Sequence, residues 1–443
     1  MSEEMELKSS HRWNHFQSKA LVFLVVTTIV GCLVYLGVTS NEDIYRLGSH
    51  SRKYITNELK MSKIFKSNGK SSTKTGRSGK IIIAFDYWEQ LTMATNNLLH
   101  LTAFAAHGGR QVVVPFVKDS QFRGTAVSNG FKTLAFYFNV TALNDTLRSR
   151  GHATFISWEG FQDVCKGRLD VLVHFDYTDL NKSTTYSLAA PFVPCMKDRQ
   201  SNQFRGLKVG TSICMNVFAL DSVDKFEKEV VKRRQCVGIS QWRGSNTKRN
   251  NRANFDLSSV VGNVMSYNDI GGFFNSRLIH RAQEFIAHNL GPHFISVHIR
   301  TEHILKLGSK LSLIKICISR LRAHVQSIVH SSTVPISVFV AADFNEFGSS
   351  SRLIKQPREN AKSLMEILHP LKPITFQPAE YKLVDRGAVA IVEMNILASG
   401  KHLVLLGGGN FQTWMKNQFF KRNSNDQYKL KHLACREMQS ADI

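Results

Sequence analysis

The sequence is poor in acidic residues. Among its 443 residues, 34 are Asp or Glu and 57 are Lys or Arg, which gives a formal net charge of +23. Such an excess attracts anions, so it favours partners such as nucleic acids, acidic glycans, membrane surfaces or phosphate-bearing substrates. The chain also lacks zinc-finger spacing and a repeated basic–aromatic pattern, so a nucleic-acid partner is not specifically supported.

Motifs that hold catalytic metals are also missing. The sequence contains no HExxH, no cluster of Cys and His, and no acidic pair of the DxD type near a predicted strand end. A metal-dependent transferase is therefore disfavoured, and we expect no metal site. The glycine run at 407–409 is not a Walker A loop, because no Gly-Lys-Ser/Thr follows it.

One long uncharged stretch is present near the amino terminus. Residues 20–38 carry no charge, and as a helix they would span about 28 Å, close to the roughly 30 Å hydrocarbon core of a bilayer. A cleaved signal peptide is the alternative, but residues 37–40 form a weak cleavage site. We expect a signal anchor at 20–38, preceded by a cytoplasmic tail at 1–19 and followed by a flexible, Ser/Gly/Lys-rich stem at 39–79.

Three glycosylation sequons indicate that the region after the span is luminal. They begin at Asn139, Asn144 and Asn181. Six cysteines follow the span, which allows three disulfides. Cys317 lies in an apolar run, where a free core cysteine is the alternative. Together these features predict a single-pass type II protein of the Golgi or endoplasmic reticulum membrane.

The alternation of strands and helices predicts an α/β fold with two Rossmann-like domains. Residues 81–115 read as strand, helix, Gly-Gly and strand, which is a βαβ unit and implies a parallel sheet. Later strands are expected at 294–300, 335–342 and 401–406, with helices between them. We predict domains at 80–255, with irregular insertions between about 117 and 234, and at 256–443. A cleft between them would suit a nucleotide and an acceptor.

Three groups in the second predicted domain follow strands. His298 and Arg300 end one strand, Asp343 ends the next, and the loop 407–411 follows a third. Arginine presents a rigid fork that suits phosphate, although it could instead pair with a neighbouring carboxylate. Glycines allow backbone N–H groups to approach an anion at the start of the next helix, although a tight turn is the alternative. Asp385 is either a helix N-terminal charge or a group that contacts a guanine.

The first predicted domain offers acids after its first strand. Asp86 and Glu89 lie in that loop, and Asn96 and Asn97 enter the following helix. A carboxylate that faces a cleft can serve as a general base, and a solvated loop acid is the alternative.

Four segments carry a resemblance to a known family. They are VHIR at 297–300, FVAAD at 339–343, the stretch 383–411, and Asn96-Asn97 followed by GGRQVVVP at 108–115. Together they resemble the protein O-fucosyltransferase-type glycosyltransferases, which belong to the GT-B superfamily and use GDP-fucose. The resemblance covers most of residues 80–425. It implies an inverting, metal-independent transfer of fucose to a protein or glycan hydroxyl, with GDP-fucose as the donor substrate and no other cofactor.

The resemblance also implies roles for residues of this chain. Arg300 would contact the diphosphate, and Glu89, or else Asp86, would act as the base. The expected donor-binding residues are His298, Asn96, Asn97, Asp343, Asp385, Gly408, Gly409, Asn410 and Phe411.

The sequence departs from the family pattern in two places. VHIR is followed by Thr301-Glu302 instead of an Arg-Gly-Asp-like continuation, and the nucleotide loop reads Gly-Asn-Phe in place of Ser-Ser/Thr-Phe. One rival interpretation is therefore a membrane-anchored protein that binds a nucleotide or glycan without turnover. A Golgi sulfotransferase is a second rival, but Asp-Tyr-Trp-Glu stands where that class should carry Lys or Arg.

Overall fold

The computed structural model describes ten segments that belong to one compact unit, residues 78–443. They are 79–125, 130–177, 203–217, 220, 222–244, 257, 261–301, 311–343, 358–423 and 429–433. The predicted tail, membrane span and stem lie outside them, apart from Gly79. Within these segments, no helix combines the length and apolar character needed to cross a membrane.

A seven-stranded sheet forms the first half of this unit. Its order is β6-β2-β1-β10-β7-β9-β8, and neighbouring strands are parallel except for β8 and β9. The strands are β1 (Ile81–Ala84), β2 (Gln111–Val113), β6 (Phe155–Ile156), β7 (Arg168–Asp176), β8 (Gln203–Phe204), β9 (Leu207–Asn216) and β10 (Cys236–Ile239). The central strands β1 and β10 are buried at every position, as expected for apolar strands that are covered on both faces.

The first helix completes the predicted βαβ unit. Helix α1 (Leu91–His107) connects β1 to β2, which pair in parallel. It ends at Gly108 and Gly109, where the sequence predicted a stop. The prediction of strand, helix and strand over residues 81–115 is therefore confirmed.

The prediction of irregular insertions between 117 and 234 was wrong. Besides β6 to β9, the described residues of this region hold a three-stranded antiparallel sheet, two helices of at least eight residues, and shorter helical turns. The three strands and the two longer helices are β3 (Phe116–Lys118), β4 (Gln121–Arg123), β5 (Lys132–Thr133), α2 (Val140–Ser149) and α3 (Trp158–Cys165). Strands β3, β4 and β5 are too short to show a period-two pattern, which explains why the sequence did not reveal this small sheet.

A four-stranded parallel sheet forms the second half, in the order β12-β11-β13-β14. Its strands are β11 (Phe294–Ile299), β12 (Ser337–Ala342), β13 (His402–Leu406) and β14 (Leu430–Leu433). Its helices are α4 (Ser276–Phe285), α5 (Leu311–Ser331), α6 (Arg358–Leu368), α7 (Arg386–Leu397) and α8 (Asn410–Arg422). Ile299 pairs with Ala342 on one side and with Leu406 on the other, so the three central strands end at the same level.

The two sheets share a hydrophobic core. One cluster of buried residues joins members of both halves, among them Leu98 and Phe104 of α1, Phe274, and Met415 and Phe419 of α8. The predicted domain boundary at 255/256 falls outside the described residues. Described strands before it belong to the first sheet or to the small antiparallel sheet, and described strands after it belong to the second sheet.

Cysteines reinforce both halves. Cys165, the last residue of α3, is bonded to Cys236, the first residue of β10. Cys214 and Cys317 are disulfide-bonded as well. The alternative that Cys317 is a free core cysteine was therefore wrong. An apolar run in the sequence predicts that a cysteine is buried, but it does not predict whether its sulfur is bonded.

The sequons differ in their surroundings. Asn139 is exposed and caps α2, where its side chain accepts a hydrogen bond from the Ala142 N–H at 3.1 Å. Asn144 lies inside α2, and its amide both accepts from the backbone N–H of Phe155 at 2.7 Å and donates to the Phe155 carbonyl at 3.4 Å. A glycan on Asn144 would compete with this pairing. Asn181 lies outside the described residues.

Candidate active site

The carboxyl end of the second sheet brings three sequence-predicted groups together. Arg300 follows β11, Asp343 follows β12, and Gly407 follows β13. The backbone N–H of Arg300 donates to the Leu406 carbonyl at 2.9 Å, and that of Asp343 donates to the Ile299 carbonyl at 3.2 Å. We call this the second-sheet edge. Its position matches the general rule that open α/β sheets bind ligands beyond the carboxyl ends of their strands.

Arg300 lies directly against the glycine loop. Its Nη1 donates to the Gly408 carbonyl at 3.3 Å. A Cβ at Gly407 would stand 2.5 Å from the Arg300 carbonyl oxygen, and a Cβ at Gly409 would overlap Arg300 Nη1. Both glycines also have positive φ, 102° and 111°, which other residues rarely adopt. Glycine is therefore needed at both 407 and 409 for Arg300 to cross the loop. A tight turn alone would not require glycine at both positions.

His298 is a neutral hydrogen-bonding group. His298 is 8% exposed. Burial, with a further contribution from the positive charge of Arg300, lowers the pKa of its imidazole to about 3. Its Nδ1 lies 2.9 Å from Gln412 Nε2, which also donates to the Leu406 carbonyl at 3.0 Å. Because an amide N–H can only donate, Nδ1 accepts and the ring proton is on Nε2. His298 can therefore donate from Nε2 at neutral pH.

Gln412 was not predicted as a site residue. It lies in the first turn of α8, is 3% exposed, and orients His298 through the hydrogen bond described above. Helix α8 begins at Asn410, so its N-terminal N–H groups follow the glycine loop directly, as the sequence indicated. Phe411 is half-buried, and its ring centroid lies 5.5 Å from that of His298. The one sequence signal for Gln412 is its position in the first turn of a helix that follows a glycine loop.

Asp343 contacts the residue that follows Arg300. Its Oδ1 accepts from the Thr301 backbone N–H at 2.8 Å and from the Thr301 hydroxyl at 2.7 Å. Thr301 is 1% exposed. The Asp343 carboxylate therefore bonds to Thr301 of the same chain, whereas the family resemblance implied that Asp343 contacts the donor.

Asp385 connects the two halves of the molecule. It is the N-cap of α7, and its Oδ1 accepts from the Ala388 N–H at 3.0 Å and from the Tyr137 hydroxyl at 2.5 Å. Its Oδ2 accepts from the Asp119 N–H at 2.8 Å, and the residue is 7% exposed. Burial and the Asp385 charge together raise the pKa of Tyr137. The helix-terminus alternative accounts for this geometry, and the contact with guanine stays a prediction.

The loop after β1 presents Glu89 at the carboxyl end of the first sheet, which we call the first-sheet edge. Glu89 is exposed and has a φ of 67°, a left-handed conformation that is uncommon for residues other than glycine. The residue before it is fixed on both sides: Trp88 donates its N–H to the Trp242 carbonyl at 3.0 Å and accepts from Asn97 Nδ2 at 3.0 Å. A strained, exposed acid on a fixed loop supports a functional hypothesis for Glu89.

Asp86 has a different environment. It forms ion pairs with Arg205 and, at 3.7 Å, with Arg123. Both ion pairs hold the carboxylate in place within the protein. Asp86 is therefore less suited than Glu89 to take a proton from an acceptor, and it organises the loop.

The two asparagines lie deeper than the sequence indicated. Because α1 begins at Leu91, Asn96 and Asn97 belong to its second turn and not to its start. Asn97 is 0% exposed and its Nδ2 donates to the Trp88 carbonyl, so it packs the loop after β1; its contact with the donor stays a prediction. Asn96 is 7% exposed, and its Nδ2 lies 3.2 Å from His100 Nε2.

Arg243 was also missed. It follows β10, is 3% exposed, and its guanidinium lies 5.0 Å from the Trp88 ring centroid and 4.7 Å from that of Tyr177. Burial lowers its pKa, while the charges of Tyr177 and Glu89 oppose that shift. Sequence reasoning missed this arginine because its partner Tyr177 lies 66 residues away along the chain.

No cluster of three or more His, Cys, Asp or Glu suited to a metal occurs among the described residues.

Fold and site together define a two-sheet α/β protein with a glycine-lined cationic site at one sheet edge and an acidic loop at the other. Among solved structures, the chain is similar to POFUT1 in complex with GDP-fucose, with 13% identity, a TM-score of 0.44, and 81% of this chain and 98% of that chain covered. For POFUT1 in complex with GDP the values are 14%, 0.46, 81% and 99%. For the fucosyltransferase NodZ from Bradyrhizobium they are 14%, 0.36, 76% and 91%. No family model and no curated protein matches the chain.

Proposed function

We propose that the protein is a glycosyltransferase that moves fucose from GDP-fucose to a hydroxyl group of a protein or glycan. The observation that carries this proposal is the crossing of Arg300 over the glycine loop, next to a neutral His298 and the N-terminus of α8. These groups offer a guanidinium, an imidazole N–H and backbone N–H donors, which is the chemistry that recognises a diphosphate. The VHIR and 383–411 motifs support fucose as the sugar.

The proposed reaction is a single displacement that inverts the sugar's anomeric carbon. Glu89 takes the proton of the acceptor hydroxyl, and the hydroxyl oxygen forms a bond to C1 of fucose. The bond between C1 and the phosphate oxygen breaks, and its electron pair leaves with GDP. Arg300 stabilises the negative charge that develops on the diphosphate, so no metal is required in this scheme.

Two matched substitutions test the two roles separately. Arg300→Lys keeps the charge but loses the fork, so GDP affinity should fall by about one to two decades, the equivalent of roughly 1.5–3 kcal/mol. Glu89→Gln keeps the shape and removes the base, so transfer should fall by about 10²–10⁴-fold while GDP affinity stays normal. Calorimetry with GDP and a transfer assay with GDP-fucose measure these effects.

Each substitution has a control in the same chain. Arg277→Lys makes the same chemical change at an exposed position of α4 and should leave GDP affinity unchanged. Asp86→Asn removes an acid from the same loop and should reduce transfer less than Glu89→Gln does. A wild-type protein that binds GDP tightly but transfers no sugar would favour the non-catalytic binder instead.

Chelation provides a separate test of the metal-independent scheme. Activity should survive EDTA, because Arg300 and the helix terminus carry the proposed phosphate contacts. Loss of activity on chelation, with recovery on addition of manganese, would contradict the scheme and the fucosyltransferase assignment.

We further propose that the folded region works in the lumen of the secretory pathway, anchored by residues 20–38. The bonded state of Cys165, Cys214, Cys236 and Cys317 supports an oxidising compartment. Endoglycosidase treatment of protein made in a eukaryotic cell should increase its gel mobility, and Asn139→Gln should remove more of that shift than Asn144→Gln. An unchanged mobility of the wild type would argue against a luminal location.

A further inference from the structure

Within the proposed function, we infer that Thr301 and Asp343 are positioning residues that hold Arg300 in its orientation toward the nucleotide. We call the two hydrogen bonds between them the Thr301–Asp343 clasp. This role differs from the donor contact that the family resemblance implied for Asp343. It also gives a function to Thr301, which stands where the chain departs from the family pattern.

The clasp lies at the point where β11 ends. Up to Ile299, the strand is held by β12 and β13 on both sides. Beyond it, the Thr301 N–H and hydroxyl both donate to Asp343 Oδ1, at 2.8 Å and 2.7 Å. Thr301 is 1% exposed, so these bonds are formed away from solvent. Hydrogen bonds to a carboxylate are stronger than neutral ones, and burial increases the difference.

Two hydrogen bonds, one on each side, fix the backbone of Arg300. Its own N–H donates to the Leu406 carbonyl at 2.9 Å, which restrains φ. The Thr301 N–H is held by Asp343, which restrains the peptide after Arg300 and therefore ψ. With both torsions set, the direction of the Cα–Cβ bond is set as well. The guanidinium can then cross the glycine loop to the Gly408 carbonyl.

Asp343 is itself held by the sheet. Its N–H donates to the Ile299 carbonyl at 3.2 Å, so the carboxylate leaves β12 directly beside the end of β11. The clasp therefore makes the backbone position of Arg300 depend on the alignment of β11 with β12. A phosphate-binding group gains from such preorganisation, because less freedom is lost when the ligand binds.

Substitutions at Thr301 test the clasp without changing Arg300. Thr301→Val has nearly the same shape but lacks the hydroxyl, and we expect it to weaken GDP binding by roughly 3- to 10-fold, the effect of one lost hydrogen bond. Thr301→Ser keeps the hydroxyl and should stay within about 2-fold of the wild type. Calorimetry with GDP measures both, and thermal unfolding confirms that the variants are folded.

A double substitution tests whether Thr301 acts through Arg300. In the Arg300→Lys background the guanidinium fork is already lost, so adding Thr301→Val should cause little further loss of GDP affinity. Independent roles would instead give multiplied losses and would overturn the positioning role. If Thr301→Val does not fold, Asp343→Asn replaces it: a weakened GDP affinity that disappears in the Arg300→Lys background supports the clasp, and any other result contradicts it.

The outcomes distinguish the clasp from the proposed function. Absence of GDP binding by the wild type would overturn the proposed function and the role of the clasp with it. Wild-type GDP binding together with an unchanged affinity of folded Thr301→Val would overturn the clasp alone.

Discussion

The two sheet edges treat their arginines differently. At the first-sheet edge, Arg123 and Arg205 pair with Asp86, and Arg243 is enclosed by Trp88 and Tyr177. Behind that edge, Arg110 forms a two-pronged pair with Glu227 at 2.7 and 2.8 Å. At the second-sheet edge, Arg300 lies along glycine backbone. Cations of the first sheet are therefore held by carboxylates and aromatic rings, whereas the contact described for Arg300 is with a backbone carbonyl.

This difference shows why net charge alone does not locate a binding site. An arginine paired with a buried carboxylate, as Arg110 is with Glu227, is costly to deprive of that partner and offers little to a ligand. The contact between Arg300 and the Gly408 carbonyl holds the guanidinium through a neutral backbone group. Substitutions at the two edges should therefore affect different measurements, stability in the first case and ligand affinity in the second.

The largest expected effect is on stability, from breaking the Arg110–Glu227 pair. Both side chains are buried, at 0% and 7% exposure, and Arg110 also donates to the Arg234 carbonyl at 2.7 Å. Glu227→Gln leaves a buried guanidinium without its charge partner, which should lower the free energy of unfolding by about 3–5 kcal/mol. Urea denaturation measures this loss. Asp224→Asn is the control, because the Asp224–Lys228 pair is exposed and its loss should change stability very little.

A smaller loss of stability should follow from removing the hydrogen bond between Tyr137 and Asp385, which joins the two halves. Tyr137→Phe removes the donor to Asp385 and the acceptor for the Ser120 N–H at 3.1 Å. Leaving these buried groups unsatisfied should cost roughly 1–3 kcal/mol of stability, with GDP affinity unchanged. Thermal unfolding and calorimetry check the two parts. Reduced GDP affinity at unchanged stability would instead support a contact between Asp385 and guanine.

The smallest effect concerns pH and compares the buried histidines of the two halves. Burial lowers the pKa of His152 and, with Arg300, that of His298 to about 3. Below the unfolded pKa of about 6.5, the unfolded chain binds protons that the folded protein does not. Each histidine therefore contributes stability above pH 6.5 that is lost on acidification, at up to about 1.4 kcal/mol per pH unit.

Removing one histidine should make this pH dependence shallower. His298→Asn eliminates its own contribution between pH 6.5 and 5 and leaves that of His152. Urea denaturation at several pH values measures the slope for the wild type and the variant. Equal slopes for both proteins would show that His298 is not held neutral by the fold.

Sequence reasoning found the central strands and the residues that follow them. Long apolar runs gave β1, β11, β12 and β13, and the rule that parallel strands end at one edge placed Arg300 beside the glycine loop. It did not find Gln412, Arg243 or the Thr301–Asp343 clasp, because their partners lie 114, 66 and 42 residues away. Contacts of that separation depend on the folded topology, which local pattern and propensity do not specify.

The shared core has a consequence for how a substrate enters. Leu98 of α1, Phe274, and Met415 of α8 belong to one continuous cluster, and the Tyr137–Asp385 bond lies across the same junction. A hinge rotation that opened one half away from the other would expose this apolar surface to water and break a buried bond. We therefore expect a nucleotide to enter through rearrangement of side chains and loops, while the two halves keep their relative positions. Association should then follow a single step, without the slow conformational phase that marks proteins that close over their ligands.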